Sequence, residues 1–147
     1  MFFREILENK KDYLSLLLLG DEQESMIDRY LEDGRMFVLL DGEVKAVFVL
    51  SELNDSTIEL KNIAVEPRYQ SQGLGRKCLE FIESLYRNSG KTLIVGTGES
   101  PLTMGFYKHC GFAYSHRVED FFTQNYDHPI VEDGHILKDM IYFSKKF

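Results

Sequence analysis

Residues Thr57–Arg76 read TIELKNIAVEPRYQSQGLGR, and the fold turns on how this stretch divides. Thr57–Val65 has the β-branched, apolar composition of a strand, entered through the turn residues Asn54-Asp55-Ser56. Its alternation carries a fault. Ile58 and Leu60 share one parity, whereas Ile63 and Val65 share the other. A β-bulge near Lys61-Asn62 would return all four to one side. A strand buried on both faces would make parity immaterial, and the pattern fits both readings. Next come Glu66-Pro67-Arg68-Tyr69, the run Gln70-Ser71-Gln72-Gly73-Leu74-Gly75-Arg76, and the clearest helix of the chain, Gly73 to Ser89. Leu74, Cys78, Phe81, Ile82, Leu85 and Tyr86 form its apolar stripe, and Gly90 is a candidate C′ residue. Glycines at a helix N-terminus leave free N–H groups in the positive field of the dipole, which suits a phosphate. A helix merely started by a glycine turn is the plainer alternative. Two other phosphate fingerprints fail. G-x-G-x-x-G/A meets Cys78, and G-x-x-x-x-G-K-[ST] ending at Gly90-Lys91-Thr92 meets Leu85.

Toward the N-terminus, Phe2–Ile6 is a short strand, Asn9 to Leu19 a helix stopped by Gly20, and Glu22 to Leu31 a second helix. Met36–Leu40 and Val44–Leu50 read as antiparallel strands. Asp41-Gly42 between them signals a type I′ hairpin, whose two central residues need positive φ. Toward the C-terminus, Thr92–Val95 is a short apolar strand and Pro101 to Cys110 a helix with Pro in its first turn and Gly111 at its end. Phe112–Val118 and His135–Phe143 read as final strands. The acidic stretch Glu119 to Gly134 between them is long for a hairpin, and so is functional, flexible or locally structured.

The chain has 147 residues, 44% hydrophobic and 28% charged, which fits one soluble globular domain spanning 1–147. No apolar run is long enough to cross a membrane, and the opening MFFREILENKKDY lacks the apolar core of a signal peptide. Cys78 and Cys110 make no disulfide framework and fit a reducing cytoplasm, the expected location. A net charge of −7 argues against nucleic acid as a partner. It agrees with a cationic, even polycationic, amine, and equally with plain solubility. His109, His116, His128 and His135 show no metal-ligand spacing with the cysteines, so no metal is expected. Lys10-Lys11 and Lys145-Lys146 read as exposed.

Taken together, these parts resemble the GNAT superfamily of acyl-CoA-dependent N-acyltransferases. Gln70–Gly75 matches its R/Q-x-x-G-x-G/A signature, behind a strand and Pro67. Tyr107-Lys108-His109-Cys110-Gly111-Phe112 matches its Y-x-x-x-G-F element. The match is strong over residues 36 to 112 and thin at both ends. The resemblance implies an α/β (α+β) fold: a mixed, mostly antiparallel sheet flanked by helices, with two central strands splayed around acetyl-CoA as cosubstrate. It implies an N-acetyltransferase acting on a small primary amine by direct attack in a ternary complex, with a homodimer as an available assembly. A weakly catalytic acyl-CoA-binding or sensor module is the alternative on the same fold. A nucleotide-binding protein would need the fingerprints that fail.

By the same resemblance, amides of Ser71, Gln72, Gly73, Leu74, Gly75 and Arg76 would take the pyrophosphate, with Gln70 orienting the loop. Backbone groups of Ile63, Ala64 and Val65 would hold the pantetheine arm and the acetyl carbonyl, and Tyr107 would protonate the departing thiolate. Ser100 stands where relatives often carry Asn, and Thr103 where a small residue is common. Glu59, six residues before Val65, is the first candidate for the base, and Glu99 the second. Asp120, Asp127, Glu132 and Asp133 would bind a second cation or lie on a solvated loop. Phe121, Phe122 and Tyr126 would line an acceptor pocket or pack the connection onto the sheet.

Overall fold

A computed structural model describes residues 1–147. The strands are β1 (Phe2–Ile6), β2 (Arg35–Asp41), β3 (Glu43–Glu52), β4 (Thr57–Val65), β5 (Thr92–Gly98), β6 (Ala113–Val118), β7 (Val131–Glu132), β8 (His135–Ile136) and β9 (Met140–Lys146). The helices are α1 (Leu14–Gly20), α2 (Glu24–Ile27), α3 (Leu74–Tyr86), α4 (Pro101–His109) and α5 (Phe121–Asn125). Seven strands make one sheet in the order β1-β2-β3-β4-β5-β9-β6. Every neighbouring pair is antiparallel except β4–β5. That pair is parallel because α3 carries the chain back across the sheet between them.

β3 shows why the sheet has two cores. Ala46, Phe48 and Leu50 point to the face covered by α3 and α4, whereas Val47 and Val49 point to the face covered by α1. All five are fully buried, as expected of a central strand. On the α3 face, Phe48 stacks on Phe37 with centroids 5.1 Å apart, and Phe3 stacks on Phe81 at 4.2 Å. On the other face, Leu17, Ile27 and Tyr30 close over Met36 and Val38.

Several elements differ from the sequence reading. Asn9 takes a left-handed conformation, and Lys10–Tyr13 is a 3-10 turn, so α1 begins only at Leu14. The second helix is regular only over Glu24–Ile27. Beyond it, Arg29 and Tyr30 bond three residues back, the tighter winding that frees a helix end. Lys10 is not simply exposed: its ammonium donates to the carbonyls of Leu31 (2.9 Å) and Gly34 (2.7 Å), taking acceptors the shortened helix leaves open. At the β2–β3 turn only Gly42 has positive φ (77°), and Lys45 is an extra residue opposite the Leu39–Leu40 step. The turn is therefore a bulged one and not type I′. α3 stops at Tyr86, where Arg87 turns extended and Asn88 left-handed. Its stripe includes Leu79 in place of Leu85, which lies at the frayed end and is exposed. His135–Phe143 is split, because Asp139 accepts the Asp120 N–H and the Arg117 guanidinium, holding the chain away from regular pairing. The stretch Glu119 to Gly134 is locally structured by α5 and the small β7–β8 ladder, over a core of Phe122, Ile130 and Leu137.

Phe48→Ala removes a ring packed on both sides, and is expected to lower stability by about 3–5 kcal/mol. A urea-denaturation midpoint close to wild type would contradict that packing.

Candidate active site

The bulge is at Lys61. Val49 faces Asn62 and Leu50 faces Leu60, so Lys61 has no partner on β3. Ile58, Leu60, Ile63 and Val65 consequently all lie on the α3 face, while Asn62 and Ala64 turn toward α1. On the other edge of β4, pairing with β5 runs from Thr57↔Thr92 to Leu60↔Val95 and then ends. β5 continues with β9 through Gly98. The two central strands therefore part where β4 is kinked, and the edge of β4 beyond Leu60 has no strand beside it.

A cavity of about 760 Å³ fills the gap, walled by Leu60–Val65 on one strand and Val95–Gly98 on the other. It reaches both faces of the sheet. Gly75, Phe106 and Tyr107 line it on the α3–α4 side, and Leu19–Glu22 on the α1 side. Gly20 is required there: a Cβ would stand 2.1 Å from Asn62 Oδ1 and 2.9 Å from the Ile63 carbonyl.

At the α3 mouth, the Gln70 amide donates to the Val65 carbonyl (3.1 Å), tying the loop to the strand end. Ser71 (φ 63°) and Gly73 (φ 82°) are left-handed, which turns the chain sharply into α3. The first helix-closing bond is from Lys77 N–H to the Gly73 carbonyl. The N–H groups of Leu74, Gly75 and Arg76 thus have no partner within the helix. A second hollow, of about 400 Å³, lies over them, lined by Gln70, Ser71, Gly73–Arg76, Phe106 and His109. It shares Val65, Gln70, Ser71, Gly75 and Phe106 with the larger cavity, so the two form one continuous trough. Gln72 is exposed and lines neither. Open N–H groups, a helix dipole and a continuous trough suit a ligand with an anionic head and a narrow tail.

Tyr107 lines the deep part of the trough, its ring set among Phe106, Phe112 and Phe143. Burial, with the nearby Cys110 and Glu132, raises its phenol far above the ordinary value, so it stays protonated. Cys78 is likewise pushed up to about 12 by burial and is an inert part of the core.

The other sequence candidates are placed differently. Glu59 is buried but is not among the residues lining the cavity. Its Oε1 lies 3.2 Å from Lys61 Nζ, and its Oε2 accepts the Tyr142 hydroxyl at 3.3 Å. Glu99 is exposed and is also outside the lining. Arg117 grips both its oxygens at 2.8 Å and holds its carboxyl below the ordinary value. Ser100 is wholly buried at the start of α4, its Oγ has no hydrogen-bond partner, and it does not line the trough. Of the four acidic residues singled out in the long connection, only Glu132 lines the cavity, and it accepts the Thr103 hydroxyl. Phe122 and Tyr126 line the cavity, Phe121 does not, and all three pack the connection.

One carboxylate escaped the sequence reading. Asp21, just past Gly20, lines the cavity and is half-buried. It accepts the hydroxyls of Tyr126 (2.5 Å) and Tyr30 (3.0 Å). Burial raises its pKa, and the two phenols oppose that rise. No motif announces it, because its partners stand 9 and 105 residues away. No group of three or more His, Cys, Asp or Glu side chains is gathered as a metal site, and no helix is long and apolar enough to cross a membrane.

Comparison with known proteins agrees with this geometry. A family model described as an acetyltransferase (GNAT) domain matches residues 32–114. The Bacillus subtilis protein described as uncharacterized N-acetyltransferase YvbK is 34% identical over 137 residues, covering 91% of this chain and 88% of its own. A GNAT family acetyltransferase from Elizabethkingia anophelis, solved with acetyl-CoA bound, superposes with a TM-score of 0.92 at 30% identity over 99% of this chain and 97% of its own. A Bacillus subtilis acetyltransferase in complex with CoA superposes with a TM-score of 0.88 at 32% identity over 99% and 97%.

The Glu99–Arg117 pair is checked by titration. Glu99 is expected to protonate below the ordinary carboxylate range by carbon-13 NMR, and Arg117→Gln to return it upward. Because the folded value is the lower one, the pair's small stabilisation holds above the unfolded value and is lost as pH falls through the folded one.

Proposed function

This chain belongs to the GNAT family of acetyltransferases, and we propose that it moves the acetyl group of acetyl-CoA onto a primary amine of a small molecule within a ternary complex. The observation that carries this reading is the parting of β4 and β5 at Lys61, with the glycine turn of α3 at one mouth of the gap. The trough has the shape the cosubstrate needs. Its pyrophosphate would lie on the open N–H groups of Gly73–Arg76, with Gln70 and Ser71 shaping the turn beneath it. Its pantetheine arm would run along the unpaired edge of Ile63, Ala64 and Val65, where backbone groups stand in for a missing strand.

The chemistry follows from that seating. An alkylammonium with a pKa of about 10.4 must lose a proton before it can attack. The amine then bonds to the thioester carbonyl carbon, and free backbone N–H groups near the bulge hold the oxyanion. Collapse breaks the carbon–sulfur bond, and the Tyr107 phenol gives its proton to the departing thiolate. Of the two protons the ammonium nitrogen surrenders, one leaves through a carboxylate and the other restores the phenol. No acyl-enzyme is formed.

Titration calorimetry with acetyl-CoA is expected to show micromolar binding. Gly73→Val should weaken it about 10–100-fold, because the residue is left-handed and its side chain would block close approach of the phosphates. Unaltered affinity would remove the glycine turn from the site. Tyr107→Phe should lower turnover about 100-fold, with acetyl-CoA affinity retained. Full turnover in that variant would deny Tyr107 its role, and binding without turnover in the wild type would favour a sensor module.

A further inference from the structure

The cavity continues past the gap into a chamber on the other face of the sheet. It lies on the α1 side of the sheet, across the gap from the glycine turn, and its floor is the α1–α2 connection. Its roof is the connection around α5. Three hydrogen bonds fasten roof to floor: Tyr126 hydroxyl to Asp21, Asp127 N–H to Gln23 Oε1 (3.0 Å), and Arg29 to Asn125 Oδ1 (3.1 Å). The walls are apolar, made by Leu19, Phe122, Ile130, Leu137 and Met140. Three carboxylates line the cavity: Asp21 is half-buried at the end of α1, Glu22 beside it is exposed, and Glu132 is half-buried on β7.

The setting of Asp21 is specific. Asn62 Nδ2 donates to the Tyr30 hydroxyl at 3.1 Å, Tyr30 donates to Asp21 Oδ2, and Tyr126 donates to Asp21 Oδ1. Both carboxylate oxygens are thereby oriented by neutral phenols, and the backbone N–H of Gln23 and the charge of Lys61 also act on Asp21. The carboxylate keeps a further lone pair for a cation. The charged groups near it are few. Lys61 of β4 is paired with Glu59 and also pulls the Asp21 pKa down, Glu22 of the same connection is exposed at the rim, and Glu132 of β7 takes the Thr103 hydroxyl. Asp21 thus offers a seat for a cation beside the apolar and aromatic walls, with Glu22 exposed at the rim and Glu132 engaged by Thr103.

Resting on the acetyltransferase reading above, we propose that this chamber takes a primary amine on an apolar or aromatic body, and that the Asp21 carboxylate binds its ammonium and accepts its proton. One N–H bond breaks and one O–H bond forms on Asp21, leaving the nitrogen lone pair free for the thioester carbon in the gap. The partly buried carboxylate, its basicity raised by desolvation, is better matched to this transfer than an exposed one. The apolar walls select the body of the acceptor, since a polycation would leave further charges with only the rim Glu22 and the already engaged Glu132 as partners.

The test compares amines on the wild-type chain by thiol release, with acetyl-CoA saturating. 2-Phenylethylamine and hexylamine are expected to exceed spermidine and a lysine-containing peptide by at least tenfold in kcat/KM. Asp21→Asn should lower kcat/KM for 2-phenylethylamine about 100-fold near neutral pH, leave acetyl-CoA affinity unchanged, and lose less of the rate as pH approaches the amine's own pKa. That recovery separates a proton acceptor from a structural group, because free amine needs no base. A preference for spermidine or the peptide would overturn the inference, as would a loss confined to Glu59→Gln with Asp21→Asn unaffected. The amine panel is read on the wild type, and so stands even where Asp21→Asn loses its fold. Failure of acetyl-CoA to bind at all would sink the parent reading instead, which the calorimetry detects separately.

Discussion

A β-strand can satisfy its backbone on both edges only while its register holds on both. At Lys61 it does not hold. The extra residue keeps β4 paired with β3 but turns it away from β5, and the parallel ladder ends at Leu60↔Val95. The cavity between the strands, the backbone edge exposed to it and its opening to both faces of the sheet depend on that one insertion. A bulge is tolerated here because the partner edge is secured on either side of it. β3 pairs with β4 before and after Lys61, and β9 takes over the far edge of β5.

The two faces of the sheet then receive different work. On the α3 face the chain offers backbone amides and a dipole, which attract an anion regardless of its side groups. On the α1 face it offers a carboxylate, phenols and apolar walls. Tyr107, which also lines the cavity, is kept protonated by the same aromatic packing that closes the α3-side core.

The departures from the sequence reading share a cause. α2 ends early because Tyr30 and Leu31 are already in the core after one turn, and Lys10 supplies donors to the carbonyls left behind. His135–Phe143 splits because Asp139 is used by Asp120 and Arg117 from outside the strand. Glu99 is a paired surface carboxylate because Arg117 on β6 reaches it. In each case a residue distant in the chain outweighs local propensity.

What the sequence by itself determined was the order and type of the long elements, the fault in the alternation of Thr57–Val65, the glycine turn into α3 and the Tyr107 position. All of these are local signals, written within one element or at its junction. Tertiary structure chose between the two readings of that fault, because a bulge is a mismatch between two strands and has no meaning in one. It also decided which carboxylates face the gap. Glu59 and Asp21 look equally ordinary in the chain, but one is paired with Lys61 outside the cavity lining, whereas the other is presented to the cavity by Tyr30 and Tyr126. A side chain's basicity and access depend on what surrounds it in space, and only the folded chain brings residue 126 to residue 21.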